Sequence, residues 1–158
     1  MNEQDRHFMM RAIALAREGM SLNDGGPFGA VVVRAGQIIG EGNNRVTSTN
    51  DPTAHAEIIA IRQACANLKT FQLEECTIYT SCEPCPMCLG AMYWARPARV
   101  FFACTRADAA SIGFDDDFIY TELEKPREDR EMAMIALMRD EALEVFSEWA
   151  GKPDKVEY

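Results

Sequence analysis

The sequence predicts an α/β protein, a three-layer α/β/α sandwich around a mixed five-stranded sheet, and three observations carry that prediction. Segments of strand period and segments of helix period alternate along the chain. A glycine-containing turn joins the first two strands as a hairpin. The length of 158 residues suits a single domain, 1–158, with a substantial core.

Gln4 to Met20 repeats apolar residues at Phe8, Ala12, Leu15 and Ala16, the stripe of an amphipathic helix, and Asn23-Asp24-Gly25-Gly26-Pro27 ends it. Phe28 to Val33 and Gln37 to Glu41 read as strands flanking the turn Arg34-Ala35-Gly36. Asn43 to Asp51 is polar and loop-like. Asp51-Pro52-Thr53 supplies a helix start that puts Glu57 in the first turn, with Ile58, Ile61, Cys65 and Leu68 on the apolar face. Thr77 to Thr80 is a short buried strand, and Pro84-Cys85-Pro86 opens a helix running to Trp94. Arg99 to Cys104 is a strand and Ala107 to Ile112 a short helix. Met132 to Met138 is read as the last strand, ahead of a helix from Asp140 to Ala150.

Composition narrows the function. The net charge is −9, with 16 basic residues scattered among 25 acidic ones. Binding a polynucleotide through its phosphates needs clustered Lys and Arg, so no polynucleotide partner is expected; a free base needs no such patch. The first twenty residues hold no apolar run long enough for a signal-peptide core or a membrane span, so no membrane partner and a cytoplasmic location are expected. In a reducing compartment, six cysteines point to metal or catalysis before disulfides.

His55-Ala56-Glu57 and Pro84-Cys85-Pro86-Met87-Cys88 concentrate the chemistry. Cys85 and Cys88 stand three apart at a helix start, so they share a face, and the helix dipole favours their thiolates. His55 is the candidate third ligand, and three protein ligands leave a catalytic zinc one position for water. Glu57, two residues on, reaches the same pocket without ligating, and zinc lowers the pKa of a bound water to about 7, within reach of a carboxylate base. A bare Cys-x-x-Cys also suits a redox pair or half of a structural zinc site. With Cys82 it makes a run resembling part of an iron–sulfur motif, but that run lacks its continuation and leaves His55 and Glu57 without a role. Cys82 is assigned to packing beside the site, Cys65, Cys76 and Cys104 to the core, and His7 to the surface.

These two motifs match the H-x-E and P-C-x-x-C signature of zinc-dependent nucleoside and nucleobase deaminases. With Gly25-Gly26-Pro27-Phe28-Gly29-Ala30 and Gly113-Phe114-Asp115-Asp116, the chain resembles the cytidine deaminase-like superfamily nearly end to end, and within it the guanine-deaminating bacterial branch. The resemblance implies one Zn2+ per subunit and hydrolysis of a purine base by water. It implies Glu57 as proton carrier, Asp116 as a second one (Asp115 being the alternative in a run of three aspartates), Asn44 hydrogen-bonded to the base, and Phe28 and Trp94 beside it. It further implies a homodimer exchanging its C-terminal segment, about 131–158, with Tyr158 closing over the substrate. Guanosine deamination, tRNA adenosine deamination, another nucleobase or aminotriazine deamination, and a non-catalytic zinc-stabilised binding module are the competing readings.

Overall fold

A computed structural model describes residues 2–158; the chain divides into two compact units, Met1–Tyr120 and Thr121–Tyr158. No helix among the described residues is long and apolar enough to cross a membrane.

The first unit begins with helix α1 (Glu3–Ser21), whose start is fixed by reciprocal bonds between Asn2 and Asp5. Strands β1 (Gly29–Arg34) and β2 (Gln37–Asn43) form an antiparallel hairpin, with Arg34 opposite Gln37. A single turn, α2 (Val46–Thr49), lies within the segment read as loop. It is followed by α3 (Ala56–Leu68), β3 (Cys76–Cys82), α4 (Pro86–Ala95), β4 (Arg99–Cys104) and α5 (Arg106–Ser111). Helix α6 (Asp116–Glu124) runs across the boundary of the two units.

The sheet order is β2-β1-β3-β4; β1 is antiparallel to β2 and β3, and β3 is parallel to β4. The sheet is therefore mixed, as expected. Helix α1 covers one face, with Phe8 and Leu15 against Val31, Val33 and Tyr79. Helices α3 and α4 cover the other, with Ala56, Ala60, Ala64 and Met92 against Ala30, Val32 and Ile78. This arrangement gives the expected three layers. Small residues let α3 sit close to the hairpin: a Cβ on Gly42 would come within 2.1 Å of the Ala56 carbonyl. That contact brings the start of α3 beside the C-terminal end of β3, where ligands gather in sheets of this kind.

Three expectations need correction. The helix starts at Ala56 and not near Asp51, because the Asp51 carboxylate accepts from both the backbone and the hydroxyl of Thr53, at 2.8 and 2.7 Å, which closes a turn of its own. Cys104 is exposed, since β4 lies at the sheet edge, while Cys76 is buried and Cys65 is half-buried against the core. The sheet of the described residues has four strands, not five: Met132 to Met138 pairs with nothing as a strand. A ladder needs a free edge, and the second unit contains only the 3₁₀ turn Arg127–Asp129 and helix α7 (Arg139–Gly151) besides the end of α6. In that unit Ile135 is 88% and Leu137 83% exposed.

Candidate active site

Two helix starts make the site. His55 occupies the cap position of α3 and Cys85 that of α4, with Pro86 as the first residue of the α4 helix and Cys88 in its first turn. The α4 helix follows directly on β3, so the two cysteines lie at the sheet's C-terminal edge facing α3. His55 Nδ1 lies 3.5 Å from Cys85 Sγ and 3.5 Å from Cys88 Sγ. The three ligand atoms fall within 4.8 Å of one another. A tetrahedral zinc with Zn–S about 2.3 Å and Zn–N about 2.0–2.1 Å has N···S edges of about 3.5–3.6 Å. The donors and their spacing fit zinc.

Electrostatics agree with a cation there. Cys85 is pulled down to about 4, first by the Cys88 thiol hydrogen-bonded to it and then by His55. The same pairing, with burial, pushes Cys88 upward, and His55 is raised chiefly by its bond to Cys85. A metal ion held there would displace the thiol proton. Cys82 stands apart: burial pushes its thiol up to about 12, and its Sγ donates to the Thr105 carbonyl at 3.6 Å.

Glu57 is 6% exposed, and burial raises its carboxyl above the usual range. Its Oε1 accepts from the Thr80 hydroxyl at 3.1 Å and its Oε2 from Cys88 Sγ at 3.5 Å. A carboxylate so placed lies against the ligand cluster without belonging to it.

A cavity of about 340 Å³ opens over these groups, lined by Gly26, Phe28, Asn44, Val46, Thr47, Pro52, His55, Glu57, Cys82, Glu83, Cys85, Phe114 and Asp116. Asn44 is buried, and its Oδ1 accepts from the Gly26 and Val46 amides, each at 3.2 Å. The amide NH2 is therefore the group Asn44 has left to offer a ligand. A Cβ on Gly25 would fall 2.1 Å from that Oδ1, so the glycine leaves Asn44 its place. Phe28 meets Phe114 edge to face, centroids 4.7 Å apart at 82°, and the pair walls one side. Asp116 is half-buried, its carboxyl raised by desolvation, while Asp115 is exposed and lines no part of the cavity.

The structure thus brings His55, Cys85, Cys88, Glu57, Asn44, Phe28 and Asp116 around one cavity. Trp94 is not among the lining residues and is 64% exposed. The inward face of α4 carries Cys88, Met92 and Ala95, and Trp94, two positions past Met92, points the other way. Tyr158 belongs to the second unit, where it is exposed. Phe114, Thr80 and Glu83 were not singled out from sequence. All three stood inside stretches that carry the resemblance, Phe114 in Gly-Phe-Asp-Asp and Thr80 and Glu83 in Thr80 to Cys88, but the contact of Thr80 with Glu57 is tertiary.

Residues 2–104 match the family model described as the cytidine and deoxycytidylate deaminase zinc-binding region. The chain belongs to that family. Within this deaminase family it is 55% identical to guanine deaminase of Bacillus subtilis (strain 168) over 96% of its own length and 97% of that protein. A crystal structure of the B. subtilis guanine deaminase superposes with a TM-score of 0.95 at 54% identity, covering 100% of this chain and 99% of that one. The tRNA-specific adenosine deaminase of Aquifex aeolicus (strain VF5) is 34% identical over 80% of this chain and 81% of its own. A chain crystallised in complex with 2,6-diaminopurine is 32% identical, with a TM-score of 0.66 over 96% of this chain and 83% of that one.

Proposed function

We propose that this chain hydrolyses guanine to xanthine and ammonia, with zinc held by His55, Cys85 and Cys88. One observation carries the reading: a ligand triangle of zinc dimensions stands beside a buried, non-ligating carboxylate at the floor of a cavity. The choice of guanine is supported by identity and superposition with the B. subtilis enzyme over nearly the whole chain; the match to the A. aeolicus tRNA enzyme is weaker and shorter.

Held by His55, Cys85 and Cys88, zinc would supply a water of lowered pKa. Glu57 takes the proton of the attacking water and delivers it to N3 as the oxygen adds at C2. Glu57 then takes the second proton of that water from the oxygen now on C2 and passes it to the amino group, which leaves as ammonia as the C2–N bond breaks; Asp116, half-desolvated on the cavity lining, assists this transfer and is favoured there over Asp115. The Asn44 NH2 donates to an acceptor on the purine edge, and Phe28 with Phe114 keeps water from that side.

We extend the reading to the assembly. The apolar, exposed stretch 131–138 forms no strand within this chain, and β4 offers an open edge with Val100 and Phe102 exposed. Exchange of the segment about 131–158 between two copies supplies the fifth strand and brings Tyr158 of one copy over the cavity of the other. All six cysteines are free, as in the reducing cytoplasm.

Ammonia release from guanine, guanosine, adenine, adenosine, cytosine and cytidine tests the substrate. Guanine is expected to have the highest kcat/KM by about tenfold or more, a margin of about 1.4 kcal/mol. A higher value for any other amine overturns the assignment.

A further inference from the structure

We propose that Thr80 is a positioning residue whose hydroxyl fixes Glu57 with one carboxylate oxygen turned to the reaction. The inference rests on the reading of Glu57 as proton carrier and adds the group that aims it.

Thr80 lies on β3, opposite Ala30 of β1, and is 1% exposed. Its side chain shares a face with Ile78, which packs in the apolar core beneath α3. Valine would fill the same volume there without burying a hydroxyl, so packing gives no reason for threonine. The hydroxyl donates to Glu57 Oε1 at 3.1 Å.

The other side-chain bond to Glu57 comes from Cys88 Sγ to Oε2 at 3.5 Å. That bond needs a thiol. A cysteine holding a metal is a thiolate, which donates nothing. In the loaded protein, Thr80 is then the side-chain donor this structure provides to Glu57. Oε1 stays pinned to the strand, and Oε2 is left on the side of His55, Cys85 and Cys88. A strand residue makes a firm anchor because β3 is paired on both sides, by β1 and β4.

The test compares Thr80→Val and Thr80→Ser as zinc-loaded enzymes. Thr80→Val is expected to lower kcat about 10²-fold, the scale of an ångström-sized misplacement of a reacting group. KM and zinc content should stay within about twofold, since neither ligands nor base contacts change. Thr80→Ser, which keeps the hydroxyl, should restore most of the rate. Crystal structures of both variants give a readout independent of turnover: the Glu57 carboxylate rotates away from Oε1's wild-type position in the valine variant and keeps it in the serine variant. An unmoved carboxylate in Thr80→Val, an unchanged kcat, or equal damage in both variants overturns the proposal. Failure of wild-type enzyme to release ammonia from guanine would instead refute the proposed substrate, and the crystallographic comparison would still decide the role of Thr80.

Discussion

Glu57→Gln separates chemistry from architecture. Glutamine has the volume of glutamate, and its amide oxygen can accept from Thr80 as Oε1 does at 3.1 Å. It cannot carry a proton between water and substrate, a function worth about 10²- to 10⁴-fold. The expected loss in kcat is therefore about 3–5 kcal/mol of transition-state stabilisation. Stability should move the other way. Burial holds the Glu57 carboxyl above the ordinary glutamate range. Its favourable contribution is thus complete below the unfolded value and is lost as pH rises through the folded value. At neutral pH the metal-free wild type bears the cost of that raised carboxyl, which glutamine does not. Steady-state kinetics with guanine, zinc analysis, and denaturant melts of the stripped proteins at pH 7 read the three effects. The expected outcome is a nearly dead variant with full zinc and a midpoint no lower than wild type. A kcat within tenfold of wild type, or loss of zinc with the substitution, would refute it.

The remaining expectations concern the ligands, the cavity and the hairpin. Cys85→Ser should lose zinc and activity together by elemental analysis and ammonia assay; full zinc in that variant would remove Cys85 from the ligand set. Gly25→Ala drives a Cβ to 2.1 Å from Asn44 Oδ1 and should raise KM for guanine by about tenfold, roughly the worth of one hydrogen bond, with zinc unchanged. Glu41 accepts from Arg11 at 2.7 and 2.9 Å, and that bond lowers its pKa. Both side chains are 33% exposed, so after solvent screening Glu41→Gln should cost about 0.5–1 kcal/mol at pH 7. The stabilisation from a lowered carboxyl is present above its unfolded value and lost as pH falls through the folded one, so the cost should shrink in urea melts as the pH is taken progressively into the acid range.

The parts of this molecule that follow from neighbouring residues were readable from the sequence. The stripe at Phe8, Ala12, Leu15 and Ala16 is buried in α1, and the hairpin turns where Ala35-Gly36 stands. Cys85 and Cys88 could be paired because a helix brings positions three apart together, whereas His55, thirty positions from Cys85, was tied to them through the resemblance. Local cues failed where tertiary or assembly context decides. Met132 to Met138 has strand-like apolarity but no edge to join within its unit, and Cys104 has core-like chemistry on a strand whose flank is open. The Thr80–Glu57 bond spans two elements and leaves no trace in either one's pattern. Phe114 lies in the Gly-Phe-Asp-Asp segment that carries the resemblance, but its place against Phe28 is set by tertiary packing.

The central claim is a zinc ion bound by one nitrogen and two sulfurs, with a position open to water. X-ray absorption at the zinc edge, on protein whose metal content is measured in parallel, tests it most directly. The account predicts one zinc per chain with two sulfur neighbours near 2.3 Å and two nitrogen or oxygen neighbours near about 2.0–2.1 Å. A shell of four sulfurs, or protein purified without zinc, would contradict it.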